Sequence, residues 1–173
     1  MRVIAGEFRS RALKSVEGFE VRPTPDRLRQ RLFDVIAGEV EGTVFLDAYA
    51  GTGAVGIEAL SRGAGRAIFI EKNKKAVDVI EQNLKNLKVA ARARVIAGSA
   101  KIYLAAQKAD IAFVDPPYDL EAEYAMALNA LSGVKLAIAQ HDKRMQLEEA
   151  YGELRRVREI RQGDNVLSFY RRV

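Results

Sequence analysis

The stretch Leu46-Asp47-Ala48-Tyr49-Ala50-Gly51-Thr52-Gly53-Ala54-Val55-Gly56 leaves few folds open to this chain. Val44, Phe45 and Leu46 form a short apolar run of strand type, and a helical periodicity opens at Val55, so the glycines stand between a strand and a helix. Gly51 and Gly53 allow a tight turn that comes close to a ligand, and Gly56 allows the new helix to pack closely. The spacing Gly51-x-Gly53-x-x-Gly56 is that of a nucleotide-cradling turn, a pattern that is weak alone. It gains weight from the apolar run Ala67 to Ile70, which ends in Glu71, about 20 residues past the first glycine, where an acid accepts hydrogen bonds from ribose hydroxyls.

A second stretch bears on which nucleotide. The apolar run Ile111 to Val114 delivers Asp115-Pro116-Pro117-Tyr118 at its carboxyl end, the edge at which open α/β sheets bind ligands. Two prolines cannot extend a strand, and they hold the surrounding carbonyls and side chains in one shape. Such a loop suits an exocyclic base amine, with acceptors for its N–H groups and a ring for stacking.

Composition bounds the rest. With 173 residues and 49% hydrophobic content, one domain with a sizeable core is expected. The absence of cysteine excludes disulfides and thiolate chemistry, and a single histidine makes a metal site unexpected. No apolar run has the length of a membrane span and no signal peptide is recognisable, so a cytoplasmic location is expected. The net charge of +5 is compatible with a polyanionic partner without requiring one.

In chain order, Met1 to Lys14 reads as a small hairpin broken at Gly6, followed by more basic residues, in an extension covering residues 1–22. Arg2, Arg9, Arg11 and Arg22 there read equally as a solvated edge or as a platform for phosphates. Thr24-Pro25-Asp26 reads as a helix start with Thr24 as cap, and Leu28, Leu32, Val35 and Ile36 form its apolar stripe, with Arg27, Arg29 and Arg31 mostly outside it. Helices are expected over Val55 to Arg62, after an Asn73 cap, over Glu121 to Leu131 and over Met145 to Tyr151. Strands are expected at Arg94 to Ala97 and Lys135 to Ala139, and Leu154 to Arg161 with Asn165 to Arg171 read as a closing hairpin. Alternating strands and helices predict a parallel sheet, to which the hairpin adds an antiparallel strand.

Over nearly its whole length the chain resembles the bacterial 16S ribosomal RNA guanine-N2 methyltransferases of the RsmD family. The resemblance is carried by Met1 to Gly6 with Phe8, Arg22-Pro23-Thr24, Asp26-Arg27, Leu32-Phe33, Asp47 to Gly56, Glu58 to Ala64, Glu71-Lys72, Asp115-Pro116-Pro117-Tyr118, and Gly163-Asp164 with Leu167 to Tyr170. It implies a Rossmann-like class I methyltransferase domain over residues 23–173, with a seven-stranded sheet in the order 3-2-1-4-5-7-6 and strand 7 antiparallel. It also implies transfer of a methyl group from S-adenosylmethionine to the N2 amine of a guanine, on ribosomal RNA or a precursor of the small subunit, by a monomer without a metal.

By position, Asp47, Ala48, Gly51, Thr52 and Gly53 would line the methionine and sugar portion, Glu71 with Lys72 the ribose, and Ser99-Ala100 the adenine edge. Asp115, Pro116, Pro117 and Tyr118 would hold the target base, with Asp115 also beside the cofactor. Arg2, Arg9, Arg11, Arg22 and Arg27 would contact RNA phosphates. The chain departs from the family at Ser99, where an acid is usual, and at Gln140-His141, where a glutamate is usual. Three other readings stay open: an amino-methyltransferase on another nucleic acid, including adenine N6 in DNA; a dinucleotide oxidoreductase, which gives Asp47 and the proline loop no role; and a non-catalytic RNA-binding assembly factor.

Overall fold

The fold is described from a computed structural model, for residues 1–17, 24–117, 120–131 and 133–173. Eight strands, β1 (Val44–Asp47), β2 (Arg66–Glu71), β3 (Ala93–Ala97), β4 (Ile111–Val114), β5 (Leu136–Asp142), β6 (Ala150–Tyr151), β7 (Leu154–Gln162) and β8 (Asn165–Arg172), form one sheet in the order β3-β2-β1-β4-β5-β8-β7-β6. Strands β1 to β5 are parallel, and β8 runs antiparallel to both β5 and β7. The expected order is therefore found, with the closing hairpin as β7 and β8. The two-residue β6, antiparallel to β7, extends the edge.

Side chains alternate between the faces of the central strands, as the pleat requires. Leu46, Ile68, Ala112, Val114, Ala137 and Ala139 pack with Ala100 of α4 (Ala100–Tyr103) and with Tyr124 and Leu128 of α5 (Glu121–Ala130). On the other face, Phe45, Phe113 and Ile138 meet Leu28, Leu32 and Phe33 of α1 (Asp26–Val35), while Phe69 meets α2 (Ala54–Ser61) and α3 (Lys74–Asn86). Both faces are covered, which is why these strands read as continuous apolar runs. Asn73 caps α3 as expected, its Oδ1 accepting from Ala76 N at 3.1 Å.

Four local expectations are corrected. First, the N-terminal hairpin is reduced to one antiparallel bridge, Arg2 with Ala12, closed by Val3 N to Arg11 O at 3.0 Å and Leu13 N to Met1 O at 2.8 Å. Its turn lies on the end of α2, where Ser61 accepts from Glu7 N at 2.8 Å and from Phe8 N at 3.0 Å. Hydrogen bonds to a neighbouring helix thus replace most of the strand ladder.

Second, Thr24 does not cap α1. Pro25 holds the cap position without a side-chain bond, and the Thr24 hydroxyl donates instead to Gln140 Oε1 at 3.2 Å. Third, Arg29 is not off the buried stripe but 0% exposed. Its Nε stands 3.5 Å from Oε1 of Glu58, an equally buried acid on α2, and its Nη2 donates to the Arg2 carbonyl at 2.7 Å. Burial lowers the Arg29 pKa against the opposing pull of Glu58 and Asp26.

Fourth, residues 145–151 form no helix. Their backbone is held by side chains from the closing strands: Arg156 donates to the Leu147 carbonyl at 3.1 Å and the Tyr170 hydroxyl to the Glu148 carbonyl at 2.7 Å. Leu147 and Tyr151 are buried, and the Tyr151 ring meets Tyr170 edge-on with centroids 5.6 Å apart. Tertiary partners override the helical tendency of the segment.

Glu58 gathers several of these contacts. Besides Arg29 it accepts from Ile4 N at 2.9 Å, Ala5 N at 3.1 Å and Arg62 Nε at 2.9 Å. Removing one partner of a buried pair leaves an uncompensated charge, so Glu58→Ala is expected to lower stability by about 3–5 kcal/mol. Denaturant melts measure this loss. Hydrogen exchange should show the Ile4 and Ala5 amides losing protection beyond the global change, and their unchanged protection relative to the core would refute Glu58 as the anchor of the N-terminal segment.

Candidate active site

The parallel strands deliver their polar residues to a single edge. Asp47 ends β1 opposite Phe69 and Phe113, Glu71 ends β2 opposite Ala97, and Asp115 leaves β4 one residue past the Val114–Ala139 pair. The order changes direction between β1 and β4, which is the switch point where open α/β sheets form their ligand crevice.

The glycine turn is built as its sequence demands. Gly51 and Gly53 take φ of +57° and +84°, and Gly53 N closes the turn onto Ala50 O at 2.8 Å. A Cβ on Gly56 would stand 2.3 Å from the Phe69 ring, so the glycine seats α2 on β2 as well as on its own strand. Thr52 is buried, and its carbonyl accepts from Asn83 Nδ2 at 3.3 Å. Asn83 also accepts from Lys14 N at 2.8 Å, which links the N-terminal segment to the turn through α3.

Both acids of the turn are engaged by backbone donors. Asp47 Oδ2 accepts from Gly56 N at 3.0 Å, and Glu71 accepts from Gly51 N at 2.9 Å with one oxygen and from Asn73 N at 3.1 Å with the other. Glu71 therefore staples the turn to the start of α3, a task that motif spacing alone did not reveal. Each oxygen of half-exposed Glu71 keeps a second lone pair for a ligand. Ala48 is buried, its N–H bonded to Phe113 O at 3.0 Å, and Lys72 is exposed beside Glu71.

At the end of β3, Ser99 caps the short α4 by accepting from Lys101 N at 3.3 Å, and Ala100 is buried behind it. Tyr103 is a packing residue, its ring covering the Gly98 backbone so closely that a Cβ there would stand 2.2 Å from it. Tyr49 is half-buried and donates to Glu123 at 3.0 Å, and burial raises its phenol pKa, with Glu123 adding to the shift.

Asp115 is half-buried, Pro116 buried and Pro117 exposed, while Tyr118 lies outside the described residues. On the neighbouring strand, Gln140 is 7% exposed and buried His141 places Nε2 2.7 Å from Ser168 Oγ. Burial lowers the His141 pKa, offset in part by its hydrogen bond to the Asp142 backbone and by Glu159.

Of the five arginines assigned to RNA, four lie among the described residues, on two elements. Arg11 donates to Asn86 O at the end of α3, and the segment that carries it and Arg9 packs on the Ser61 end of α2, toward the amino ends of the strands. Arg2 donates to Ser10 O at 2.7 Å, and Arg22 lies outside the described residues. Arg27 is at the carboxyl edge, beside an open hollow of about 630 Å³ lined by Ile4, Asp26, Arg27, Gln30, Arg31 and Gln162. Among the described residues no group of three or more acids and histidines is placed to hold a metal, and no helix is long and apolar enough to cross a membrane.

The family model for conserved hypothetical protein 95 matches residues 1–171. The chain belongs to this family, that of the RsmD methyltransferases. It is 34% identical to the Bacillus subtilis protein "Putative rRNA methyltransferase YlbH", with 99% of each chain covered. It is 40% identical to the Escherichia coli protein "Ribosomal RNA small subunit methyltransferase D" over 68% of this chain and 60% of that one. The solved structure "Putative methyltransferase yhhF from Escherichia coli" superposes with a TM-score of 0.86 at 30% identity, over 99% of this chain and 97% of that one. The class I methyltransferase fold and membership of a methyltransferase family are thereby established.

The Asp47 carboxyl is fully enclosed, and burial pushes its pKa from 3.8 up to about 7, offset in part by the Gly56 N–H and reinforced by Glu71. A raised acid binds its proton more tightly in the folded state, so its contribution to stability falls as pH rises from about 4 to about 7 and is level above. Asp47→Asn, whose side-chain oxygen still accepts from Gly56, is expected to melt above the parent at pH 8 and to converge with it near pH 4. Thermal melts across that range test this; a constant difference would show that Asp47 does not titrate there.

Proposed function

We propose that this chain transfers a methyl group from S-adenosylmethionine to the exocyclic N2 amine of a guanine in 16S ribosomal RNA. The observation that carries this reading is that β1 and β4 are adjacent, so the carboxylate-stapled glycine turn and the Asp115-Pro116 loop meet at one edge. A cofactor cradle beside a rigid acceptor loop serves transfer to an amine. The names of the ribosomal RNA methyltransferases among its relatives support the substrate class.

The residues present fit S-adenosylmethionine. Gly51, Thr52 and Gly53 offer backbone without bulk, Asp47 and Ala48 would lie along the methionine and sugar portion, and the spare lone pairs of Glu71 suit ribose hydroxyls, with Lys72 beside them. Ser99 and Ala100 would meet the adenine edge. The cofactor supplies a methyl group already made electrophilic by its sulfonium.

Positioning is the protein's part. Asp115 and the Pro116 carbonyl would accept the amine's hydrogens, turning its lone pair toward the methyl group, and Tyr118 would stack on the base while Pro117 holds the loop in shape. The proton released from the alkylated amine would leave through the Asp115 carboxylate. The guanine has to leave its stack, which is least costly in a loop or bulge. Among the described residues Arg27 is the proposed phosphate contact at this edge, Arg2, Arg9 and Arg11 would engage a longer RNA surface, and Arg22, outside the described residues, completes the proposed set. Such an enzyme works in the cytoplasm, where ribosomes are assembled.

The test is methyl incorporation from labelled S-adenosylmethionine into undermethylated small subunits, naked 16S RNA and duplex DNA. Label at one guanine N2 is expected, with Asp115→Ala slowing transfer on the order of 100–1,000-fold while cofactor binding is kept. Label in DNA alone would overturn the substrate, and no label anywhere would favour an assembly role. Arg27→Gln is expected to weaken RNA binding and reduce the slope of log affinity against log salt by about 0.7–0.9, the share of one phosphate contact. An unchanged slope would remove Arg27 from the RNA surface.

A further inference from the structure

Gln140 is placed beside the reacting loop by register. Val114 pairs with Ala139, so Asp115 and Gln140 are neighbours at the next position, where β4 stops and β5 runs on to Asp142. Their side chains share a face, because Ile111, Phe113, Leu136 and Ile138 two and four residues earlier all pack toward α1.

The residue is held from both sides of the sheet. Thr24, just ahead of α1, donates its hydroxyl to Gln140 Oε1 at 3.2 Å, and Tyr124 of α5 donates to the Gln140 carbonyl at 2.6 Å. With 7% of its surface exposed, the side chain has little freedom to turn away. Its Oε1 retains a second lone pair, and among the described residues Nε2 donates no hydrogen bond to the protein, yet it is not one of the fully enclosed polar atoms without a partner and so faces solvent. A nearly buried amide with an unused acceptor site and two unused donors suits a partner that presents a donor and an acceptor side by side.

We infer that Gln140 is a specificity-determining residue that reads the Watson–Crick edge of the target guanine, an inference that rests on the function proposed above. Along that edge guanine presents the N2 amine, the N1–H donor and the O6 acceptor in sequence. With N2 against Asp115, N1–H donates to Gln140 Oε1 and O6 accepts from Nε2. The edge is about as wide as the ~4.8 Å spacing of adjacent strands. Adenine in the same place, its N6 against Asp115, would set its N1 acceptor against Oε1, an acceptor facing an acceptor.

The test compares guanine with 2-aminopurine, which keeps the N2 amine but lacks N1–H and O6, at the nucleotide mapped above. Each base is placed in 16S RNA, used naked or reconstituted into subunits according to which form the parent labels, and transfer is read in single turnovers with enzyme in excess. The parent is expected to favour guanine on the order of 100-fold, the worth of two hydrogen bonds to a desolvated amide. Gln140→Met, close in volume, and Gln140→Ala are expected to slow guanine transfer to about the 2-aminopurine rate while leaving the latter within about threefold, the comparison isolating the pairwise term.

A variant that slows both substrates equally has lost structure rather than recognition, and that result overturns the inference. So does a parent that methylates both bases alike. If the parent labels no guanine at all, the proposed function fails first and this inference with it, whereas guanine labelling that is indifferent to Gln140 leaves that function standing and rejects only the role of Gln140.

Discussion

Glu58 is the one acid in α2, and the arrangement of the N-terminal third of the chain depends on its burial. It takes N–H donors from Ile4 and Ala5, the guanidinium of Arg62 and the ion pair with Arg29, joining three segments that are distant in sequence. An apolar pair of equal volume would cost less to bury, since desolvating two charges offsets much of their attraction. It would also leave two backbone amides without acceptors, and those amides fix the path of the N-terminal segment over α2. Because α2 begins at the glycine turn, the helix that shapes the proposed cofactor cradle is anchored at its far end by this contact.

The cradle is therefore formed before any ligand arrives. Asp47 and Glu71 each accept N–H groups of the turn, and Asn83 holds the Thr52 carbonyl from α3, so the cost of ordering the loop is met by folding rather than by binding. The fold bears that cost visibly at Asp47, whose enclosed carboxyl is raised to about 7. A cationic group brought to this edge would draw the carboxyl toward its charged form, coupling ligand binding to proton release near neutral pH.

What could be read in advance follows from the range of the forces involved. The strands of the parallel sheet, the glycine turn, the Asn73 cap and the Asp115-Pro116 corner are encoded by local pattern, and all were placed correctly. Arg29 stands three, four and seven residues before Leu32, Phe33 and Ile36, squarely on the apolar stripe, but its charge argued for solvent until Glu58 was seen opposite. Thr24 has the chemistry of a cap, yet Gln140 competes for its hydroxyl from 116 residues away. Residues 145–151 have a helical composition, but partners arriving later in the chain draw their carbonyls elsewhere: the side chains of Arg156 and Tyr170, the Arg156 N–H on the Glu149 carbonyl, and the β7 ladder on Ala150 and Tyr151. Glu71 was found by spacing, whereas its bonds to Gly51 and Asn73 depend on how the turn folds back over β2. In each case a deciding partner comes from another element and no periodicity announces it.

The closing hairpin completes the active edge from a distance. Pro116 and Pro117 carry no backbone N–H, so the β4 ladder stops at Val114, and beyond it β5 has no strand on that side. An unpaired strand end would fray, but β8 pairs with β5 through Asp142 from the other side and keeps Gln140 and His141 in extended form. The result is a stepped edge, on which β1 and β4 end at Asp47 and Val114 while β5, paired with β8, runs on to Asp142. That step requires both the prolines that end one strand and the antiparallel partner that prolongs the next, so the terminal hairpin, whose Gly163-Asp164 and Leu167 to Tyr170 carry part of the family resemblance, bears on the shape of the proposed base site.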